Sequence, residues 1–285
     1  MEELVMINGA ISKPSEAKIS VFDRGFLYGD AIYEVVRSYS GKLFAVEPHI
    51  DRLFLSAERI SMKLPYTKKQ YLDRMQEFYQ KAPFDDAYLR IQISRGEGPI
   101  TLDPYAPTTV NEVMYLRPLK PHPREYFERG VPVVIAGVLR NSKKAMDPDI
   151  KSGNYLNNVL AYKFAAEKKA HEAIMENSEG FITEATTSNV FCVVNGELWT
   201  SPDDSDILRG ITRNIVITLA QGLDIPLKKK NFTRQDLKNA DEAFLTSSTR
   251  EVMPIASVNG DVLKSSPGPV TRRLQQAYYD YVKNA

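Results

Sequence analysis

The chain holds one cysteine, Cys192, in 285 residues, so it cannot form an internal disulfide, and a reducing, cytoplasmic setting is expected. No window approaches the ~18 consecutive apolar residues of a membrane helix. The opening stretch "MEELVMINGAISKPSE" also lacks a basic start followed by an apolar run, so a soluble protein retained in the cell is expected. Charge excess is missing as well: 37 basic and 36 acidic residues leave a net charge of +1, which gives no electrostatic reason to expect nucleic acid or an anionic membrane as partner. The three histidines, His49, His122 and His171, are scattered without ligand spacing, so no metal site is expected. There is no internal repeat and no low-complexity tract.

What remains is an ordinary globular composition, 43% hydrophobic and 26% charged, with enough chain for one large or two medium domains. Three Asn-Gly pairs, at 8–9, 195–196 and 259–260, sit between strand-like runs and predict tight hairpins, so much of the sheet should be antiparallel. The segments "EPHIDRLFLSAERISMKL" and "KKQYLDRMQEFYQKA" place apolar residues at helical spacing and predict amphipathic helices packed on that sheet. A strand begins at Ala87. A Pro- and Gly-rich stretch ending near "LRPLKPHPRE" then marks a junction, predicting a small α/β domain over 1–120, a linker over 121–128 and a larger domain over 129–285. In the second half "GVPVVIAGVLR" reads as a strand, Tyr155 to Lys169 as a helix and "GFITEATTSNVFCVVNGELWTSP" as strands around a hairpin. "ITRNIVITLAQGL" and "PVTRRLQQAYYDYVKNA" read as helices. This mixed order predicts an α+β fold with mixed and antiparallel sheets and packed helices, not a doubly wound one.

Four features carry candidate chemistry. Lys151 stands between an extended lead-in and a helix, followed by small Ser152 and Gly153, which would let a flat ligand approach, and by Asn154, a candidate helix cap; Tyr155 brings an aromatic hydroxyl. A lysine becomes a nucleophile when its surroundings make the neutral amine accessible, whereas most lysines at such junctions are solvated charges. In "RGITR", Gly210, Ile211 and Thr212 open a helix whose amides could bind a phosphate. In "FLTSSTREVMP", the hydroxyls of Thr246 to Thr249 could complete a cup, although an ordinary polar turn has the same composition. Glu184 lies in a run that alternates like a half-buried strand, where a carboxylate needs a cationic partner, such as a protonated pyridine nitrogen, or accepts a raised pKa, although an exposed strand-end glutamate is the commoner case. An amine, a phosphate cup and such a carboxylate are the three parts that pyridoxal phosphate chemistry requires.

The ordered set "DRGFLYGDAIYEVVR", "HIDRL", "YLRIQISRG", "IKSGNYLNN", "ITEATTSNVF", "RGITR", "TSSTREVMP" and "GPVTRRLQQA" resembles the class IV aminotransferases across nearly the whole chain. That family includes branched-chain and D-amino acid aminotransferases and aminodeoxychorismate lyases. The resemblance implies the two-domain fold of D-amino acid aminotransferase-like, fold type IV enzymes, with the site at a domain interface in a homodimer. It implies pyridoxal 5′-phosphate held by Lys151 as a Schiff base, with Lys151 also moving the proton between the substrate α-carbon and the cofactor. Glu184 would face the pyridine nitrogen and Tyr155 the phenolic oxygen. Arg52, Ile211, Thr212, Ser248 and Thr249 would hold the phosphate. Tyr33, Tyr88 and Arg90 would line the substrate pocket, the last two on one face of a strand.

Within the family, "YLR", "NYLNN" and "GPVTRR" are most similar to branched-chain enzymes acting on L-amino acids with a 2-oxo acid such as 2-oxoglutarate as acceptor. The absence of Arg-x-His after Gly96 points away from D-amino acid enzymes, whereas Val35 in "YEVVR" resembles them. D-amino acid transamination and aminodeoxychorismate cleavage stay open as alternatives, and residues 96–110 and 141–148 are expected to decide stereochemical preference.

Overall fold

Alternation along two long strands, and one Asn-Gly turn, organise the first half of the chain. The computed structural model describes residues 3–285. It divides into two compact units: the chain up to Lys120 with Ile150–Asn154, and Pro121–Asp149 with Tyr155–Ala285. Two boundaries differ from the sequence reading. Residues 121–128, expected as a linker, belong to the second unit and run into a helix. The segment around Lys151, expected in the larger domain, belongs with the first unit because its backbone pairs with a strand there.

The first unit contains β1 (Leu4–Ile7), β2 (Ala10–Ser12), α1 (Arg24–Tyr28), β3 (Ala31–Tyr39), β4 (Lys42–Leu43), α2 (Val46–Arg59), α3 (Lys68–Tyr79), β5 (Ala87–Glu97) and β6 (Thr109–Pro118). Its sheet is antiparallel throughout, in the order β2-β1-β6-β5-β3-β4. On β5, Leu89, Ile91 and Ile93 point into a core shared with Ile32 and Val36 of β3, Ile50 and Leu53 of α2, and Tyr71, Met75 and Phe78 of α3. Truncating such a core leucine or isoleucine to alanine costs about 2–5 kcal/mol. Because side chains alternate, Tyr88, Arg90 and Gln92 lie on the other face, opposite Arg37, Val35 and Tyr33 of β3 respectively. That second face carries the candidate substrate residues.

The second unit contains α4 (Arg124–Arg129), β7 (Val131–Ile135), α5 (Leu156–Lys168), β8 (Glu172–Glu176), β9 (Ile182–Ala185), β10 (Asn189–Val194), β11 (Glu197–Thr200), α6 (Ile211–Gly222), β12 (Leu227–Lys229), α7 (Arg234–Asn239), β13 (Glu242–Ser247), β14 (Glu251–Val258), β15 (Asp261–Val262) and α8 (Pro269–Lys283). Its sheet is mixed and runs β12-β11-β10-β13-β14-β7-β8-β9, with β15 beside β14 and with Asn189 pairing Glu184 to join β9 back to β10. The strand expected over "GVPVVIAGVLR" ends at Ile135, and the chain continues beside β8 through bonds from Ala136 N–H to Ile174 O and from Arg140 N–H to Glu176 O.

All three Asn-Gly pairs close hairpins, β1–β2, β10–β11 and β14–β15. Both turn residues have positive φ in each, for example 51° at Asn8 and 90° at Gly9, which is the backbone a type I′ turn demands. Among the described residues no helix is long and apolar enough to cross a membrane.

His171, between α5 and β8, accepts a hydrogen bond from Arg250 Nε at 3.4 Å. Burial, and then the charges of Arg250 and His122, push its pKa down to about 4 from an ordinary 6.5. As pH falls below about 6.5 the unfolded chain gains a proton that the folded ring refuses, so stability that is full above that pH is lost down to about pH 4. His171→Gln, which keeps an acceptor but cannot titrate, should flatten the fall in urea midpoint across that window. An unchanged slope would show that this ring does not govern the acid response.

Candidate active site

The position of Lys151 is set by backbone pairing. Ser152 bridges Ile32, Tyr33 N–H donates to Lys151 O at 2.9 Å, and Gly153 N–H donates to Ala31 O at 2.8 Å, so residues 151–153 run along the free edge of β3. Lys151 N–H is further tied to Ser56 Oγ of α2 at 3.2 Å. The side chain therefore emerges beside Tyr33: Nζ donates to the Tyr33 hydroxyl at 3.3 Å and lies 4.4 Å from the ring centroid. No carboxylate pairs with this amine among the described residues. Asn154 is not the helix cap expected from sequence. Its Nδ2 donates to Gly29 O at 3.0 Å, and the N-cap of α5 is Tyr155, without a side-chain bond.

The same sheet face brings Arg90 to the other candidates, with its guanidinium carbon 3.6 Å from the Tyr33 ring centroid. Tyr88 stacks on Tyr115 at 5.9 Å, and its hydroxyl is pushed up to about 12, first by burial and then by Tyr115. Tyr88 is thus a neutral hydroxyl under ordinary conditions. Arg52 lies elsewhere, on the core side of β3. It donates from Nε and Nη2 to the two oxygens of Glu34 at 2.7 and 2.8 Å, while His49 Nδ1 stands 2.7 Å from Glu34 Oε2. Burial pushes the Glu34 carboxyl upward, but Arg52 and His49 together hold it far below the usual carboxylate range. Burial also pushes His49 down, so the neutral ring donating Nδ1–H fits this geometry. Breaking one partner out of such a buried pair typically costs about 3–5 kcal/mol.

In the second unit Glu184 is buried on β9, and its cationic partner, missed in the sequence, is Arg140. Arg140 reaches Glu184 Oε1 through Nε at 3.0 Å and Nη2 at 2.9 Å, and bonds Asn157 Oδ1 near the start of α5 at 3.2 Å. Glu184 Oε2 accepts from Asn189 Nδ2 at 3.2 Å and from Leu208 N–H at 3.0 Å. Asn189 Nδ2 also donates to Leu208 O at 2.8 Å. This network joins three sequence candidates: Tyr155 through the start of α5, Glu184 itself, and Ile211 with Thr212 through the loop that enters α6. A second motif asparagine, Asn158, bonds Thr186 O at 2.6 Å and fixes α5 to the β9–β10 turn.

Helix α6 begins at Gly210 without a side-chain cap, and the amides of Ile211 and Thr212 and the Thr212 hydroxyl have no partner among the described residues. The Thr246 hydroxyl on β13 is buried and unpartnered as well, and Thr246 pairs directly with Asn189 across the ladder. Ser248 and Thr249 follow in the β13–β14 turn, a strand-to-strand reversal. Unsatisfied amides and hydroxyls converging on one end of a sheet fit an oxyanion such as phosphate.

Comparison with known proteins gives this geometry a family. The model of "Amino-transferase class IV" matches residues 31–258. The chain belongs to the class IV aminotransferases. A putative branched-chain-amino-acid aminotransferase of Methanocaldococcus jannaschii is 36% identical over 280 residues, 97% of this chain and 95% of the relative. The D-alanine aminotransferase of Staphylococcus haemolyticus is also 36% identical, over 98% of both chains. The branched-chain amino acid aminotransferase of Thermobaculum terrenum, solved in its PLP-form, superposes with a TM-score of 0.89 at 28% identity, covering 99% of this chain and 94% of that one. The α+β architecture expected from sequence is therefore that of the family, and class IV aminotransferases depend on pyridoxal 5′-phosphate.

A Cβ at Gly210 would fall 2.1 Å from Asn189 Oδ1, so this glycine is required by close approach and not by its φ of −65°. At a position with ordinary φ, Gly→Ala normally stabilises slightly. Here Gly210→Ala should lower unfolding free energy by about 1–3 kcal/mol, because Asn189 must move and with it the Glu184 anchor. Equal or higher stability by urea titration would show that Asn189 does not hold this corner.

Proposed function

We propose that this aminotransferase passes the amino group of a branched-chain L-amino acid to a 2-oxo acid such as 2-oxoglutarate, using pyridoxal 5′-phosphate carried on Lys151. The observation that carries the reading is the Lys151 amine, held on the edge of β3 against Tyr33 and without a carboxylate partner among the described residues. An ion-paired lysine would be held by its partner, whereas no carboxylate occupies this amine, which suits it to serve as a nucleophile.

The cofactor supplies an electron sink for the bonding pair of the substrate Cα–H bond. Lys151 Nζ removes the proton from the substrate α-carbon and returns it on the other side of the transfer, and the Tyr33 hydroxyl orients Nζ. Glu184, already paired as an ion with Arg140, is the carboxylate suited to a protonated ring nitrogen, and Tyr155 to the phenolic oxygen. The Ile211 and Thr212 amides, with Thr212, Ser248 and Thr249 hydroxyls, suit the phosphate, with Arg52 as its cation. Two Arg52 nitrogens already serve Glu34, which fixes the guanidinium in place. Tyr33, Tyr88 and Arg90 would line the substrate pocket.

Val35 supports a second reading. It lies directly opposite Arg90 on the substrate face, and its bulk would shrink the pocket toward small substrates such as D-alanine. The relatives named as D-alanine aminotransferases favour the same alternative. The homodimer expected for the family is supported by the exposed apolar face of α5, where Leu156, Val159 and Leu160 are 70%, 61% and 46% exposed. Light scattering at micromolar concentration should give twice the monomer mass.

The deciding experiment mixes the yellow holoenzyme separately with L-leucine, L-glutamate and D-alanine and follows loss of the visible cofactor band. Bleaching by L-leucine and L-glutamate is expected, and bleaching by D-alanine alone would replace the branched-chain reading with the second one. Lys151→Ala should lose the band shift and activity by at least about a thousandfold while keeping its fold.

A further inference from the structure

Arg90 poses a physical problem. It is half-buried, it lies on an aromatic ring, and no carboxylate pairs with it among the described residues. Its hydrogen-bonding neighbour is neutral: Gln92, two residues along the same face of β5. Gln92 Oε1 accepts from Arg90 Nη2 at 2.8 Å and Nε at 3.2 Å. The Nε/Nη2 edge is one of the two edges through which a guanidinium grips a carboxylate in a fork. Gln92 caps that edge with a neutral acceptor and holds the group over Tyr33, which is its own cross-strand partner. The Nη1/Nη2 edge is the one from which Arg90, together with the Tyr88 hydroxyl, can meet substrate.

We propose that Gln92 is a positioning residue that lets one pocket take both a dicarboxylic and an apolar substrate. The proposal rests on the transaminase reading above, in which a dicarboxylic partner and an aliphatic one occupy the same site in turn. With an aliphatic side chain bound and no acceptor beside it, Arg90 would be a partly buried cation with its donors unsatisfied, which is costly. The Gln92 amide takes up two of them. With a dicarboxylate bound, the second carboxylate takes the other edge, and a neutral amide neither repels that carboxylate nor cancels the Arg90 charge. A carboxylate at position 92 would do both.

The test uses holoenzyme and measures kcat/KM for L-glutamate and L-leucine in wild type, Gln92→Glu and Gln92→Leu, with unfolding temperature as a control on fold. In Gln92→Glu the ratio of glutamate to leucine efficiency should fall at least about tenfold, through a higher KM for glutamate and not a lower kcat, because a fork-to-fork ion pair would neutralise Arg90. Gln92→Leu should lower the same ratio by about threefold as Arg90 leaves Tyr33, and it decides the matter if the glutamate variant does not fold. An unchanged ratio in a wild type active on both substrates overturns the proposal and leaves the transaminase reading intact, as does an equal loss on both substrates or a loss carried by kcat alone. A wild type that turns over neither substrate overturns the branched-chain reading and the proposal together.

Discussion

Everything proposed for the first unit depends on a short stretch of backbone, residues 151–153, laid along the edge of β3. That edge is left open because β4 covers only Ser38 and Tyr39. The bonds from Tyr33 N–H to Lys151 O and from Gly153 N–H to Ala31 O set the backbone from which the lysine amine reaches the tyrosine. Register then does the rest. A strand has period two, so fixing Tyr33 toward Lys151 sends Arg90, Tyr88 and Gln92 of the neighbouring strand to the same face and sends Glu34 to the other. A slip of one residue would bury Tyr33 in the core and expose Glu34 on the substrate face.

Charge is handled in the same way in both units: a buried carboxylate is given enough donors to remain an ion, and its cation is thereby immobilised. Glu34 does this for Arg52, with His49 as a third member, and Glu184 does it with Arg140, Asn189 and the Leu208 amide. Such networks contribute little net stability compared with an apolar core of the same volume. What they supply is orientation, because a guanidinium held at two nitrogens has few rotamers left to lose when an anion arrives.

The elements themselves were legible in the sequence wherever a local rule decided them. Asn-Gly at 8, 195 and 259 needs positive φ at both turn residues and found it, and the 3.6-residue spacing of Ile50, Leu53 and Ala57 gave α2. The site was legible only where motif residues do the work themselves. Arg140 could not be found, because the need for a cation near Glu184 was visible but its source, 44 residues earlier, was not. Gln92 and Asn189 stood inside quoted motifs without a role, since an amide carries no charge to draw attention and its partners are set by tertiary pairing. Asn154 is a capping residue by type, yet it lies one residue before the N-cap and its side chain goes to Gly29, because tertiary pairing of residues 151–153 with β3 brings that carbonyl within reach.

The division of labour also explains why family membership is easier to read than substrate. The groups suited to the cofactor depend on features with few chemical substitutes: an amine on a sheet edge, an uncapped helix start, a carboxylate held as an ion. The substrate face is different in kind. Tyr33, Val35, Tyr88, Arg90 and Gln92 all project from one antiparallel ladder, where each position can change size or charge without disturbing the hydrogen bonds of the strands that carry it. A methylene gained or lost there changes transfer free energy by about 0.8 kcal/mol, enough to redirect preference between an aliphatic and a smaller substrate but far too little to threaten the fold. One residue on this face, Arg90, cannot vary so cheaply, because its charge must be satisfied in every state of the pocket. The neighbouring amide of Gln92 is the feature of this ladder that meets that demand.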